Sequence, residues 1–388
     1  MKYLFLLLSG LAFCQNQISG IVVDEATKLP INAASVSNQT DYTITNEDGY
    51  FLFISNSDSL KISKLGYDDL NLTFDEFNSD TIFLSPKGTV LLDEATIVNY
   101  PSLMKNVYLN VEKNYPHKPF VDQFFLRTIL KRNNEIYRFE DIQGKIKRNT
   151  LFLSQDIKTA DFEFQILNQR KAGLSFKKNM ALEIEFHSLK QLFDFFSSVF
   201  IDLKGFSFHY ENIDENYVKV TFTPRPDFKN RSLGYYVIDK RDYSIKEYFI
   251  KTNPEFFDEI EFTKKQGFKF RTTDNELFVR YSKNTQSEKY YISDARIHQT
   301  LEVIERNGEK TIYNVENQLV NVKNADKEGF NSNIAKNRRL FDINFDYDED
   351  FWKNQNQLLL TNELESFINS EVDAKEFKVI SNFGKRKK

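Results

Sequence analysis

Side chains suited to catalysis are few in this chain and far apart. Its four histidines are His117, His187, His209 and His298. No two of them lie at a metal-motif spacing and HExxH is absent, so a zinc site would have to form from distant loops. The G-x-S-x-G elbow, the G-x-G-x-x-G loop and the Walker loop are also absent. We therefore predict a non-enzyme with no catalytic, cofactor-binding or metal-binding residues, and keep a hydrolase with a dispersed site as an alternative.

A Ser-x-x-Lys pattern occurs twice and is the nearest approach to a serine nucleophile. The two copies are Ser102 with Lys105 and Ser175 with Lys178. A β-lactamase-type site also needs S-D-N and K-T-G segments, and neither copy has them. Because two fixed positions recur easily by chance, we interpret both copies as incidental.

A cluster of carboxylates precedes Phe351. Its members are Asp342, Asp346, Asp348, Glu349 and Asp350. Calcium prefers several carboxylate and carbonyl oxygens, so a calcium loop is one interpretation. No glycine stands at the turn of an EF-hand loop, however, and no glutamate closes one. Negative side chains also stabilise the N-terminus of a helix, and we favour a solvated segment that begins a helix.

The composition excludes several classes of protein. The 388 residues include 52 basic and 56 acidic side chains, a formal net charge of −4, which gives no basic field for nucleic acid. Hydrophobic residues make up 40%, an ordinary value for a globular protein that argues against disorder. The 38 Phe and 19 Tyr favour pleated, half-buried surfaces. The composition therefore predicts a mostly β protein.

The first fourteen residues, 1–14, have the pattern of a secretory signal peptide. Lys2 precedes an apolar run that is too short to span a bilayer. Ala12 and Cys14 occupy the −3 and −1 places of a cleavage site, so the mature chain would begin at Gln15. The alternative is a lipid anchor on Cys14, which the bulky Phe13 disfavours. Cys14 is the only cysteine, so we expect an exported protein of the periplasm or outer-membrane periphery that folds without disulfides.

Residues 15–96 are predicted to form a β-sandwich. Short alternating runs recur here between turn residues, at the spacing typical of sandwiches. The predicted strands are 18–23, 34–36, 42–44, 50–54, 60–63, 70–74 and 81–84. Asp48-Gly49 is a strong hairpin signal, because glycine reaches positive φ without steric cost.

Several residues of this region resemble the carboxypeptidase-like regulatory domain. The matching residues are 19–24, Thr27, Pro30, Ala34, Val36, 45–51, Ser63 and Gly66-Tyr67. The resemblance covers about residues 15–95 and implies a transthyretin-like sandwich of the kind common in Bacteroidetes cell-envelope proteins. It implies an envelope location and an interaction role, since this module is not the peptidase.

Residues 97–345 are predicted to form a larger antiparallel, curved β-sheet domain with a few packed helices. Hairpins are expected around Asn133-Asn134, residues 241–243 and Asn307-Gly308, the last as a two-residue turn. Apolar residues at helical spacing over 189–200 predict one amphipathic helix. We assign that helix to the core rather than to a membrane surface, because Lys190 is its only basic residue.

Residues 346–388 are predicted to form C-terminal helices and a basic tail. Phe351-Trp352 leads into two apolar groups, residues 358–360 and then Leu364, Phe367 and Ile368. The tail Lys385–Lys388 could touch lipid headgroups, which makes outer-membrane association possible. Four charges at a chain end are more often simply solvated.

A hairpin in the second domain resembles those of LolA-like periplasmic carriers. The residues concerned are 234–239 and 245–248, a hydrophobic pattern with one G-x-x-x-x-D. The resemblance implies a half-barrel wrapped on helices. We predict a non-catalytic binding or scaffolding protein of the bacterial cell envelope whose partner is an envelope protein, glycan or lipid. A lipid carrier is the alternative, and it predicts an apolar cavity lined by Phe residues.

Overall fold

The computed structural model describes eight segments of the chain. They are residues 16–87, 100–152, 161–176, 187–265, 267–284, 286–325, 329–370 and 377–383. The predicted cleavage site at Ala12, Cys14 and Gln15 lies outside them, as do Lys178 and the tail Lys385–Lys388. The side chains of Ser102 and Ser175 are also outside the described part.

The N-terminal unit has the seven predicted strands. They are β1 (Asn16–Asp24), β2 (Ser35–Ser37), β3 (Tyr42–Ile44), β4 (Tyr50–Ser55), β5 (Ser59–Ser63), β6 (Leu70–Thr73) and β7 (Thr81–Leu84). One sheet has the order β4-β1-β7 and the other β3-β2-β5-β6. Their inward side chains, among them Val22, Phe51 and Phe53, form a core of their own. The predicted sandwich is therefore confirmed.

Several turn residues of the sandwich have structural roles. Asp24 accepts hydrogen bonds from the amides of Ala26 and Thr27 at 2.8 and 2.7 Å and from the Tyr67 hydroxyl at 2.7 Å. The amide of Thr27 and the Tyr67 hydroxyl lower the pKa of Asp24. Gly49 has φ +80°, and a Cβ there would lie 2.9 Å from Pro30 Cβ. These residues close one end of the sandwich.

The second unit is one antiparallel sheet. Its strands are β8 (Phe120–Arg132), β9 (Glu135–Arg148), β10 (Phe162–Phe176), β11 (Phe206–Asn212), β12 (Tyr217–Pro224), β13 (Ser232–Asp239), β14 (Ile245–Thr252), β15 (Thr263–Lys265), β16 (Phe268–Lys283), β17 (Tyr290–Ile304), β18 (Lys310–Ala325) and β19 (Phe377–Ser381). Their order is β11-β12-β13-β14-β16-β17-β18-β8-β9-β10-β19, and β15 pairs with β16. The mostly β fold class, with a sandwich followed by a larger antiparallel sheet, is confirmed.

Two predicted turns differ in how they are built. Asn133 and Asn134 join β8 to β9 with φ of 50° and 70°, as a two-residue turn requires. The Asn307-Gly308 turn is longer than predicted. The Glu305 amide donates a hydrogen bond to the Glu309 carbonyl, and the Gly308 amide donates one to the Glu305 carbonyl. Three residues, with Gly308 at φ 84°, therefore form this loop, so the two-residue prediction is wrong.

The helices are short. They are α1 (Tyr100–Leu109), α2 (Val111–Asn114), α3 (Leu189–Ser197), α4 (Glu349–Lys353) and α5 (Asn362–Asn369). Among the described residues, none of the helices is long and apolar enough to cross a membrane. Helix α3 begins with a capping box between Ser188 and Gln191.

The sheet has an inner face, which packs on α1 and α3, and an outer face. Leu192, Phe193 and Phe196 of α3 are fully buried against inner-face residues such as Phe124 and Phe164. The core assignment of α3 is thus confirmed.

Helix α5 and strand β19 lie at the end of the sheet that β9 and β10 form. Leu364 and Ile368 of α5 pack there in one cluster with residues of these two strands.

Candidate functional site

The outer face of the sheet carries one row of residues that are paired from strand to strand. We call it the transverse row. From β11 to β10 it consists of His209, Thr221, Tyr235, Phe249, Phe278, Arg296, Gln318, Arg127, Asp141 and Arg170. Directly opposed residues on neighbouring strands have Cβ atoms about 5 Å apart, so the row runs as a continuous line across the sheet.

One end of the transverse row is buried and charged. Arg127 binds both carboxylate oxygens of Asp141, each at 2.8 Å, and Arg170 binds the same carboxylate at 2.7 Å. All three side chains are less than a tenth exposed. Two guanidiniums share one carboxylate, and Arg127 donates two further hydrogens to the carbonyls of Leu358 and Leu359, both at 2.8 Å.

Residues 348–362, which we call the strap, cover this end. The Trp352 ring lies over the Arg170 guanidinium, with its centroid at 4.4 Å, and its Nε1 donates to Asn168 at 2.8 Å. The Asn356 amide group makes two 2.8 Å hydrogen bonds with the backbone of Ile54. The Thr43 hydroxyl donates to the Gln357 carbonyl at 3.2 Å. The strap therefore joins the sandwich to the sheet.

The sandwich also contacts the outer face directly, beside the row. The Tyr42 hydroxyl donates to Asp294 at 2.9 Å, and Arg280 lies between Asp294 at 3.4 Å and Glu247 at 3.2 Å. Arg280 donates to the Ala33 carbonyl of the sandwich at 3.1 Å. Burial and the neighbouring Asp294 raise the pKa of Tyr42 above its usual range. The hydroxyl therefore stays protonated and remains a donor.

Lys64 is a second cation at this contact. Its Nζ donates to the carbonyls of Asn32 and Ala33 at 2.8 and 3.3 Å. Burial, together with the nearby Arg280, lowers the pKa of Lys64 to about 8. The amine therefore loses its proton at a lower pH than an ordinary lysine does.

The other end of the transverse row is open. Tyr235, Phe249 and Phe278 are half-buried and lie on three neighbouring strands. The rings of Tyr235 and Phe249 are 5.4 Å apart at an angle of 31°. Lys219 Nζ lies 4.8 Å from the Tyr235 centroid, and the Arg280 guanidinium lies 5.3 Å from that of Phe278. Each of the three rings therefore contacts a cation or another ring of the protein.

Strand alternation explains why these rings point outward. In β13 and β14 the inward residues, such as Tyr236 and Tyr248, are fully buried and their neighbours Tyr235 and Phe249 take the other face. Gly234 lets the Phe222 ring lie across its strand, because a Cβ there would be 2.6 Å from Phe222 Cζ. The glycine of the G-x-x-x-x-D pattern therefore serves packing.

The inner face is closely filled where the structure describes it. Its largest side chains are fully buried aromatics from sheet and helices, including Tyr115, Tyr236, Phe162 and Phe193. Two cavities formed by described residues lie on the outer side, and most of the residues that line them are polar. Neither of these two is the apolar, Phe-lined cavity that a lipid carrier predicts.

Two buried ionic groups also lie on the inner face. Asp122 and Arg148 pair at 2.6 Å, and burial raises the pKa of Asp122. Glu140 contacts Gln169 near Lys171, and burial raises the pKa of Glu140 to about 8. Both carboxylates are about 1% exposed, so substrate could not reach them without rearrangement of the core.

The structure disperses the residues that the sequence singled out. His187 bonds Gln299 at 3.0 Å on the inner side, while His298 lies 3.3 Å from Thr300 on the outer side. His117 is exposed elsewhere, and His209 is exposed at the β11 end of the transverse row. Asp348 caps α4 by accepting from the Phe351 amide at 3.1 Å, which confirms the helix-start interpretation. Nowhere in the described ranges do three His, Cys, Asp or Glu side chains form a group that could hold a metal.

Sequence reasoning missed the residues of the transverse row as a group. Tyr235 lies in a hairpin that the sequence revealed, and Phe249 directly follows it. Nothing local relates Tyr235 to Phe278 or Arg127, because these meet only through the order of the strands. The outward alternation of large aromatics in neighbouring hairpins was the one available signal.

Comparison with known proteins gives distant matches only. No family model matches the chain and no curated protein does, so the resemblance of residues 15–95 to the carboxypeptidase-like regulatory domain stays a prediction. Among solved structures, a putative outer membrane lipoprotein-sorting protein domain from Vibrio parahaemolyticus matches at 9% identity and TM-score 0.26, over 59% of this chain and 93% of that one.

Two further solved structures are similar at the same level. A LolA superfamily protein from Nitrosomonas europaea matches at 8% identity and TM-score 0.21, over 60% of this chain and 97% of that one. The MucA/MucB complex of Pseudomonas aeruginosa matches at 8% identity and TM-score 0.17, over 57% of this chain and 93% of that one. At such identities and TM-scores the likeness says nothing about function.

Proposed function

We propose that this chain is an exported, non-catalytic binding protein of the bacterial cell envelope. We further propose that a protein partner docks on the open end of the transverse row. The observation that carries the proposal is the line of half-buried Tyr235, Phe249 and Phe278 on the outer face. A rigid sheet with a filled inner face supports this line, so the surface is preorganised.

The arrangement of the rings favours a protein segment over a flat ligand. Stacking on a ring needs a free face, and here Lys219, Arg280 and the neighbouring rings occupy faces of Tyr235 and Phe278. Protein interfaces are instead rich in Tyr, Phe and Arg at their centre, with a polar rim. Arg296, next to Phe278 in the row, completes such a set.

Charge around the rings indicates the chemistry of the partner. Lys219 and Lys251 adjoin the aromatic line, but they lie directly opposite Glu211 and Glu276. Glu247 is likewise paired with Arg280. Arg296 lies between Phe278 and Gln318 and has no acidic residue opposite it in the register. A segment that carries apolar side chains and an Asp or Glu placed to reach Arg296 would complement this surface.

A non-catalytic role is supported by where the perturbed groups lie. Catalytic groups need shifted pKa values in a cleft that substrate can enter. The raised pKa values of Glu140 and Asp122 belong instead to fully buried pairs. The proposal for location rests on the signal peptide that residues 1–14 predict.

Site-specific photo-crosslinking in cells tests the docking surface. A photoreactive amino acid would replace Thr221, which neighbours Tyr235 in the row, and the matched control would carry it at exposed Asn71 of the sandwich. We expect a discrete adduct from position 221 only, lost in the double variant Tyr235→Ser, Phe249→Ser and weakened by high salt. An adduct that persists in the double variant, or appears equally at position 71, would refute this surface.

Native mass spectrometry of the protein from envelope fractions tests export and the carrier alternative. We expect a mature mass that begins at Gln15 and carries no lipid. A stoichiometric lipid would replace the binding-protein proposal with the carrier. A mass that begins at an acylated Cys14 would show an anchored protein.

A further inference from the structure

A polar cleft lies between the sandwich and the sheet, on the far side of the Arg280–Asp294 contact from the transverse row. It has a volume of about 110 Å³. The sandwich contributes residues 37–42, and the sheet contributes 282–284, 291–293, Asn321 and Lys323. Because both units form its walls, the cleft exists only while the sandwich is docked.

The size of the cleft limits what it could hold. A single water needs about 10–15 Å³ of such volume. The cleft thus accommodates about seven to eleven non-hydrogen atoms by the same measure. This is comparable with one pyranose ring and part of its substituents, with the rest of a chain outside.

Hydroxyl and amide groups dominate the lining. Ser37 and Asn38 lie on the sandwich side, and Ser282, Ser293 and Asn321 on the sheet side. Such groups donate and accept hydrogen bonds without charge, which suits a ligand that presents many hydroxyls. A phosphate would instead require several basic side chains, and a metal ion several acidic ones.

The charged residues at the cleft are largely compensated. Lys283 pairs with Glu288 at 2.6 Å. Asp41 accepts from the hydroxyls of Thr40 and Ser55, both at 2.7 Å. Lys323 adds one exposed cation. The balance favours a neutral ligand, or one that carries a single acidic group.

One residue of the lining, Asn321, has an acceptor that the protein leaves unused. Asn321 is 8% exposed, and its side-chain oxygen has no hydrogen-bond partner, while its side chain also hydrogen-bonds Asp122. Buried polar groups are nearly always paired. A ligand hydroxyl within reach of this oxygen would supply the missing bond. The half-buried Tyr291 provides apolar surface on the wall.

We infer that this cleft binds one sugar ring of a saccharide. Hydroxyl and amide groups of both units would hydrogen-bond the ring hydroxyls, Asn321 would accept from one of them, and Tyr291 would contact the ring's C–H groups. The sugar would come either from a free oligosaccharide or from the glycan of a lipid-linked surface polysaccharide. The site is separate from the proposed protein-docking surface and does not depend on it.

Saturation-transfer NMR on the full chain tests this inference. The probes are the methyl glycosides of glucose, galactose, mannose and N-acetylglucosamine, with glycerol as the reference polyol. We expect saturation of at least one glycoside well above that of glycerol. We expect Asn321→Ala to weaken its binding at least fivefold.

Two matched variants keep the test decisive. Ser282→Phe places a ring in the cleft and should abolish the signal. Ser207→Phe makes the same change on exposed β11, far from the cleft, and should leave the signal intact. Thermal melts establish that both variants are folded. No glycoside signal above glycerol from the folded protein, or a signal that survives Ser282→Phe, overturns the inference.

The source of the sugar is settled by competition. Free oligosaccharide of the preferred sugar and purified lipopolysaccharide micelles would each be titrated against the bound glycoside. Displacement by the oligosaccharide alone identifies a soluble glycan. Displacement by the micelles at equal sugar concentration identifies a lipid-linked one. If neither displaces a specifically bound glycoside, the site does not take a saccharide chain and the inference fails.

Discussion

The two ends of the transverse row differ in almost every physical respect, although they belong to one line of paired residues. At β8–β10 the row consists of Arg127, Asp141 and Arg170, buried beneath the strap. At β13–β16 it consists of Tyr235, Phe249 and Phe278, half in contact with solvent. The buried end carries the charges and the open end carries the apolar rings, the reverse of the usual distribution.

This reversal separates stability from recognition. A buried carboxylate between two guanidiniums is tolerated only when every partner is in place, so that end ties the strap, the sheet and the sandwich into one arrangement. Exposed rings add little to stability but provide surface for a partner. The substitutions below should therefore rank by which end they affect.

Asp141→Asn should have the largest effect on stability. It leaves Arg127 and Arg170 buried without their shared carboxylate, which should lower the free energy of unfolding by about 3–5 kcal/mol. Urea denaturation measures the loss. Glu363→Gln is the control, because it neutralises a half-exposed carboxylate paired with Lys131 and should cost no more than about 1 kcal/mol. Equal losses in the two variants would contradict the role given to the buried end.

Asn356→Ala should rank second. It removes both hydrogen bonds to the Ile54 backbone and leaves those buried groups unpaired. This should lower the free energy of unfolding by about 2–3 kcal/mol. Hydrogen exchange at the Ile54 amide should accelerate more than exchange at Phe51 within the sandwich core. Uniform acceleration through the sandwich would mean that the strap stabilises the whole unit and not only its contact.

Lys64 should make the stability of the sandwich contact depend on pH. Its folded pKa of about 8 lies below the ordinary lysine value of 10.5, so between these values the unfolded chain holds a proton that the folded chain has lost. Raising the pH through this window therefore stabilises the folded state. Below the window the amine is charged in both states, and the full cost of burying that charge destabilises the folded protein. Lys64→Met should remove this slope and stabilise the protein at pH 7 by on the order of 2 kcal/mol.

The measurement for Lys64 is a pair of denaturation series from pH 7 to 10, and the result is the difference between native and variant. Taking the difference removes the tyrosines, which titrate in both proteins. Parallel curves would show that the amine keeps an ordinary pKa in the folded state.

Tyr235→Ser should have the smallest effect on stability. The ring is half-buried, and a cross-strand aromatic pair contributes only about 0.2–1 kcal/mol. The same substitution should nevertheless abolish most crosslinking from position 221. A loss above about 2 kcal/mol would place Tyr235 with the structural residues and remove the contrast between the two ends.

Local patterns predicted the local structure well. The alternation over residues 18–84 predicted all seven sandwich strands, and the helical spacing of Leu192, Phe193 and Phe196 predicted both α3 and its burial. Each of these depends on side chains a few positions apart, for which the repeat of a strand or helix is the whole signal.

The site was beyond the reach of such patterns. Strand β8 pairs with β18, almost two hundred residues later, and this pairing places Arg127 opposite Gln318. Strand β19 closes the edge of the sheet from the far end of the chain. The strap contains α4 and the apolar residues 358–360, for which the sequence predicts helices, and only its contacts with Ile54 and Arg127 reveal its role. Register is a property of the assembled sheet, which one sequence does not display.

The strap also imposes an order on assembly. The sandwich has a core of its own and is synthesised before the sheet. The Ile54 backbone nevertheless cannot form its hydrogen bonds with Asn356 until a residue three hundred positions downstream has been synthesised. Loops of this length close slowly, and a chain that emerges from its N-terminus completes such contacts last. Until residues 348–362 have been synthesised, Tyr42 and Ile44 lack their contacts with Trp352 and Leu358 of the strap. During that interval the protein is most accessible to chaperones, proteases and non-native contacts.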